Sequence, residues 1–329
     1  MMQNGSQGRT WWLMGGIVHG SSIPNKKNAL LTNDVETTSI WYNSLRDETG
    51  KKVLEEGMPA LLDIYAKYNV RSTFFFTAYI AKLYPEIVKM IIKDGHEVAS
   101  HGKSHLKENG FDIMPLTKQK DHLEYSKKLL EDISGQEVVS FRAPALRVNN
   151  DTVRALIETG FKFDSSVASQ RFDFFMSFGG IKKLKWLYSP RLPYRVAENN
   201  IFMKGQSSLI EIPLTALVTP YVGTTMRLMP KYTALQRWIL HQESKLTGKP
   251  MVFDIHPNEL IDESGDARNI ERRSSNPIQY LLQDIVRSKL KVKNLGKRAI
   301  PLYEDMILFY AEREYEFRTI RDYGESLKV

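Results

Sequence analysis

Short apolar, β-rich runs and longer stretches of helical periodicity alternate along this chain from residue 28 to residue 257, and that order leaves few architectures open. NALLTNDVE (28–36) is an apolar run ending in polar residues, KKVLEEGMPALLDIYAKYN (51–69) repeats its apolar positions at helical spacing, and RSTFFFT (71–77) is β-rich. YPEIVKMIIKDG (84–95) has Pro85 near its start and Gly95 just past its end, the asymmetry expected of a helix, and HEVAS (96–100) follows as a strand. Thr117 is a candidate cap for a helix over 118–135, EVVSFRAP (137–144) reads as a strand, and NDTVRALIETG (150–160) reads as a helix closed by Gly160. FKFDSSV (161–167), SLIEIP (208–213) and PMVFDIHP (250–257) complete the strand-like runs, and 230–247 and 304–320 read as further helices. Residues 1–27 lack a regular pattern and are expected to be a poorly ordered leader. Residues 168–207, rich in Phe, Lys and Pro, are expected to be a long excursion over the mouth of the fold. Such repeated alternation argues a parallel sheet with helices outside it, either a barrel or a doubly wound sheet.

In parallel α/β folds ligands bind at the carboxyl ends of the strands, so the polar residues there carry information about chemistry. They are Asn33, Asp34 and Glu36 after the first run, then His101 and His105, Arg142, Asp164, and finally Asp254 and His256. The chain has no cysteine, which removes disulfides, thiolate ligands and a cysteine nucleophile together. HEVASHGKSH (96–105) holds three of the seven histidines. His96, at the amino end of its strand, lies about 16 Å from His101 if five residues extend at roughly 3.3 Å each, and so is structural or exposed. His101 and His105 are four apart, which on one helical turn places both imidazoles on one face, a spacing that suits a single metal ion. Two imidazoles plus a carboxylate from another strand end leave open positions on a divalent ion, the arrangement of a catalytic site.

The net charge of +8 would suit an anionic partner, but Lys and Arg are interleaved with Asp and Glu and read as a solvated surface. Nucleic-acid binding is not expected, because no binding motif accompanies basic tracts such as RSKLKVKNLGKR (287–298). WWLMGGIV (11–18) is far short of the roughly 20 residues that span a bilayer, and it lacks the basic flank and cleavage site of a secretory signal. The expected compartment is cytoplasmic, with the 287–298 tract available to rest peripherally at the inner face of a membrane.

Taken in order, LTNDVE, STFFFT, YPEIVKMIIKDGHEVASHGKSH, SFRAP, GFKFDSSV and FDIHPNEL resemble the motifs of polysaccharide deacetylases, the family 4 carbohydrate esterases with a NodB-like domain. The resemblance implies an α/β fold, a distorted (β/α) barrel of about seven parallel strands. That barrel would span 28–260 with 168–207 as an insertion, and 261–329 would be a helical extension packed on it. It also implies a metal-dependent hydrolase that removes an acetyl group, foremost an N-acetyl group, from a sugar of a cell-surface polysaccharide or of its lipid- or nucleotide-linked precursor. By the same resemblance His101 and His105 ligate one divalent ion, zinc foremost, with cobalt, nickel, manganese and iron acceptable to the same donors. The commonest family form has two adjacent aspartates where this chain has Asp34, Val35 and Glu36. In the acid-x-acid version Asp34 is the general base and Glu36 the third ligand, and an extended segment puts both side chains on one side. The swapped roles stay open.

Arg142 in FRAP matches the family arginine that pairs with and orients the catalytic aspartate, a task suited to a planar guanidinium with two-pronged hydrogen bonding. His256 in FDIHP matches the late histidine that serves as general acid. The family aspartate that supports this histidine lies in a D-x3-W pattern absent here, which leaves Asp164 and Asp254 as candidates, while Glu211 is a candidate for the mouth. Two other readings remain: an amidohydrolase of small or cyclic amides, and a sugar-binding barrel without catalysis, suggested by Val35 in place of the second aspartate.

Overall fold

The computed structural model describes residues 26–171, 185–265, 267, 277 and 280–328. The expected leader therefore lies outside the described residues except for Lys26 and Lys27. The first strand, β1 (Asn28–Val35), is buried along its whole length. A strand with neighbours on both edges and side chains packed on both faces has no solvent side, which is why its sequence is a continuous apolar run. β1 pairs in parallel with β2 (Thr73–Phe76) on one edge, Thr32 opposite Thr73. On its other edge lies β7 (Met251–Ile255), Ala29 opposite Met251. Beyond β2 the parallel order continues through β3 (Glu97–Ser100), β4 (Ser140–Phe141), β5 (Phe163–Asp164) and β6 (Ile210–Glu211).

These seven parallel strands form one curled sheet, and the gap between β6 and β7 is bridged rather than paired. Thr215 donates its N–H to the Val252 carbonyl and accepts the Val252 N–H at its hydroxyl, 2.9 Å away. Val222 and Asp254 form an isolated parallel bridge just above. The result is a distorted barrel, as the resemblance implied.

The described part of 168–207 departs from the expected excursion. Tyr194–Ala197 and Asn200–Lys204 form a hairpin whose first strand adds antiparallel to β6, so this part of the chain extends the sheet. Tyr194 and Val196 are buried while Arg195 and Ala197 are less so, an alternation too short to stand out among the surrounding polar residues.

Helices cover the outside of the curl at Met58–Lys67, Pro85–Ile92, Leu116–Ser134, Asp151–Glu158 and Pro230–Thr247. Thr117 does not cap the third of these. Pro115 occupies the cap with an extended backbone, and Thr117 already lies inside the first turn. The expected helix over 304–320 is also corrected: it runs from Ala299 to Ala311, and Glu314 then turns the chain with a positive φ. Glu316–Phe317 pairs in parallel with the start of β1, and Ile320–Glu325 forms a last helix. The amino end of that helix closes the bottom of the barrel: Ile320 N donates to Thr73 Oγ1 at 2.8 Å and Arg321 N donates to Glu97 Oε2 at 3.0 Å. Among the described residues no helix is long and apolar enough to cross a membrane.

Candidate metal and catalytic site

Strand alternation decides which acids reach the interior. Along β1, Thr32 and Asp34 face inward, whereas Asn33 faces the helix layer, accepting from Tyr65 Oη at 2.8 Å and donating to Ser72 Oγ at 2.7 Å. Asn33 is thus a structural residue. Glu36, one step past the strand, lies on the same side as Asp34, and Val35 is buried in the core between them.

His101 and His105 do meet, but by a loop. After β3 the chain turns at Gly102, whose φ is +69°, and residues 101–105 form no helical turn. A side chain at Gly102 would also come within 3.1 Å of the Phe111 ring. His101 Nε2 and His105 Nε2 stand 3.1 Å apart, and His105 Nε2 is 2.8 Å from Glu36 Oε2. His101 Nδ1 lies 2.8 Å from the Arg142 carbonyl, which can only accept, so Nδ1 carries the proton and Nε2 offers its lone pair inward. Burial pushes His101 down to about 4 against the charge of Asp34, which keeps the imidazole neutral near neutral pH. For Glu36 burial acts the other way, and the His105 charge and hydrogen bond outweigh it, holding the carboxyl down at about 2.

Donor atoms of Glu36, His101 and His105 all lie within 4.8 Å of one another. Among the described residues, the buried Glu36 Oε2 meets no hydrogen-bond donor except the His105 ring. Three converging lone-pair donors with so few protons among them are the chemistry of a divalent-cation site, and this set fits one. Asp34, Asp254 and His256 form a second acidic group of similar compactness. There, however, the Arg142 guanidinium already supplies the positive charge.

Arg142 is fully buried and organises the floor of the site. Its Nη1 reaches Asp34 Oδ1 at 2.9 Å, Asp254 Oδ1 at 2.8 Å and Thr32 Oγ1 at 2.9 Å. Nε and Nη2 donate to the Ser165 carbonyl and hydroxyl, each at 3.0 Å. The contact with Asp34 expected from FRAP is present, but one nitrogen serves two carboxylates in place of a two-pronged grip on Asp34. Burial opposes the charge on Asp34, and His101, Arg142 and His256 outweigh it, so this carboxyl sits well below the usual range. Asp254 moves the opposite way, up to about 7, because burial and the neighbouring Asp34 charge exceed what Arg142 returns.

His256 follows β7 and points its two nitrogens at different partners. Nε2 faces Glu36 Oε1 at 3.8 Å, and Nδ1 faces Asp254 Oδ2 at 3.7 Å and Glu259 Oε1 at 3.5 Å. Burial opposes its charge, yet Asp254, Glu259, Asp34 and Glu36 together push it up to about 10. Of the two aspartates considered as its support, the structure puts Asp254 at the ring. Asp164 instead accepts from Ser166 Oγ at 2.7 Å beside Glu211, and none of its described contacts reaches His256. Glu211 is interior too, accepting from Val167 N at 3.0 Å, and does not line the mouth.

Glu259 was not singled out by sequence reasoning. Its only signal is its place three residues after His256 in HPNE, where a single turn would bring the side chains together. His96 is buried and structural: Nδ1 accepts from Ser72 N at 3.1 Å and the ring packs on Phe74 and Tyr65.

Asp34, Glu36, His105, Arg142, Asp254 and His256 line the base of an open cleft of about 310 Å³ at the carboxyl ends of the strands. Its size and its few convergent polar groups are those of a small-molecule or single-residue subsite.

Residues 25–163 match the family model described as "Polysaccharide deacetylase". A peptidoglycan deacetylase of Helicobacter pylori is 31% identical over 146 residues, 42% of this chain and 49% of that protein. The match thus spans about half the length of the curated relatives. A putative polysaccharide deacetylase structure from Mycobacterium smegmatis superposes with a TM-score of 0.60 at 19% identity, covering 92% of this chain and 91% of that one. An allantoinase structure, PuuE, superposes with a TM-score of 0.57 at 14% identity over 96% of this chain and 97% of its own. At such identities the two superpositions establish the shared fold.

Proposed function

We propose, on the premise that residues 25–163 belong to the polysaccharide deacetylase family, that this chain is a metal-dependent hydrolase removing an N-acetyl group from a sugar of a polysaccharide or its precursor. One observation carries the reading. Three donor groups fit for a divalent ion, a buried carboxylate braced by arginine and a carboxylate-flanked histidine converge on a single cleft.

Glu36, His101 and His105 would hold the ion, which when bound supplies Lewis acidity to polarise an acyl carbonyl and to acidify water. Asp34, kept ionised by its surroundings and oriented by Arg142, takes a proton from the attacking water. Water oxygen bonds to the acyl carbon, and the carbon–nitrogen bond then breaks as His256 gives its proton to the departing nitrogen. An unprotonated amide nitrogen is a poor leaving group, so a histidine kept charged by flanking carboxylates suits this role. Acetate and a free amino sugar result. Zinc is the ion this set of two imidazoles and a carboxylate best suits.

Elemental analysis of the purified protein beside His105→Ala tests the premise, together with acetate release from N-acetylated sugars measured against ureides. About one ion per chain, lost in the variant, with acetate released from the sugars, is the expected result. An ion-free wild type after incubation with zinc and cobalt would overturn it, and turnover of ureides alone would move the chain to the cyclic-amide hydrolases.

A further inference from the structure

Beside His256 lies an ion pair, Glu259 with Arg227, to which the chemistry above gives no positioning role. Both residues are buried. Glu259 sits on the single turn Pro257–Leu260 that follows β7, and its Oε2 accepts from Arg227 Nε. Its other oxygen, Oε1, accepts the His256 backbone N–H at 3.3 Å and stands 3.5 Å from His256 Nδ1. Asp254 also approaches Nδ1, at 3.7 Å, with its Oδ1 held by Arg142. The imidazole therefore lies between two carboxylates, each with its own buried arginine, and only Glu259 grips both the ring's edge and the backbone beneath it.

Two further observations tie this pair to the rest of the chain. At Gly223 a Cβ would come within 2.5 Å of Glu259 Oε1 and 2.8 Å of Ile255, so the helix Gly223–Leu228 lies directly on the carboxylate. Arg227, from that helix, donates through Nη1 to the carbonyls of Lys291 at 2.7 Å and Lys293 at 2.8 Å, and Asn294 Nδ2 donates back to the Arg227 carbonyl at 2.7 Å. A segment more than thirty residues past the end of β7 thus reaches, through Arg227 and Glu259, to the histidine.

We propose that Glu259 is the positioning residue of His256, fixing the ring so that Nε2 faces the cleft, and that Arg227, anchored by residues 291–294, fixes Glu259. The inference rests on the reading of His256 as proton donor to the leaving nitrogen. A buried ion pair adds little net stability, so the part this pair plays beside His256 is one of geometry. Misplacing a reacting group by about 1 Å costs on the order of 100-fold in rate.

The test uses the zinc-loaded full chain with ¹⁵N-labelled histidine. In the wild type a protonated His256 Nδ1 facing Glu259 Oε1 is expected to give a downfield proton resonance. Glu259→Ala is expected to move that resonance upfield and to lower kcat roughly 10- to 100-fold, with KM and bound zinc unchanged. Glu259→Gln, whose carbonyl oxygen can still accept from both N–H groups, recovers part of the loss, and Gly223→Ala, which displaces the carboxylate, reproduces it. The proposal is overturned if the resonance survives Glu259→Ala and vanishes in Asp254→Asn. It is equally overturned if zinc, KM and kcat fail together in both Glu259 variants, the mark of a purely structural role. A wild type inactive on every sugar would defeat the deacetylase reading while leaving the resonance to decide the position of the ring.

Discussion

Asp34 and Glu36 are two residues apart and occupy different electrostatic settings. Asp34 is bonded to Arg142, a cation that cannot leave, while Glu36 faces the ring nitrogens of His101 and His105, groups able to ligate a metal. On this separation rests the proposal that Asp34 transfers the proton and Glu36 ligates the metal. Asp34→Asn keeps the shape and an acceptor for Arg142, so it is expected to retain the ion and lose turnover by roughly 100-fold or more. Metal analysis of that variant decides the matter, since an emptied site would reverse the two roles. At this scale much was legible from sequence: Asp34, Glu36, His101, His105, Arg142 and His256 all reach one cleft or its edge. The partner of His256 was not legible. Asp164 and Asp254 both end strands, and only the curl of the sheet, which brings β7 beside β1 and leaves β5 across the barrel, separates them.

Elements hold these side chains by close approaches that sequence periodicity does not report. The helical stretch expected over 51–69 begins at Asp47, passes through a wider turn at Val53–Gly57 and ends at Lys67. Gly57 explains why it can lie so near the site: a Cβ there would sit 2.5 Å from the Pro257 carbonyl oxygen, one residue past His256. Backbone on both sides leaves nothing to rotate away. Gly57→Ala is expected to lower stability by roughly 1–3 kcal/mol in urea unfolding, despite alanine's better helix propensity. A variant as stable as the wild type would show that the loop after β7 yields easily. Strands shorter than their apolar runs have a related origin. EVVSFRAP reads as eight extended residues, but only Ser140 and Phe141 form the ladder, because a curled sheet brings neighbouring strands within reach over a short span.

Across the whole molecule, the barrel interior carries more acid than the candidate site uses. Asp164 and Glu211 face each other between β5 and β6, with Ser166 and the Val167 N–H as hydrogen-bond partners, Arg142 the nearby cation, and Tyr194 of the adjoining hairpin opposite Glu211. Burial raises both carboxyls, Glu211 well above its ordinary value; the charge and hydrogen bond of Asp164 push Glu211 further up, while the same hydrogen bond and those from Ser166 draw Asp164 part of the way back. A carboxyl whose folded pKa exceeds its unfolded one binds a proton more tightly in the folded state. Its stabilisation is complete below the unfolded value near 4.5 and is lost as pH rises through the folded value. The wild type should therefore lose stability on going from about pH 5 upward relative to Glu211→Gln, which keeps the shape and an acceptor for Val167 N but carries no proton to lose. Thermal unfolding of the two proteins across pH 5 to 8 makes the comparison. Curves that stay parallel would mean the pair ionises without cost, and the closing of the sheet at β6 would then owe nothing to a shared proton. Such a pair is invisible in sequence, where FDSS and EIP stand more than forty residues apart and each acid resembles an ordinary strand-end residue.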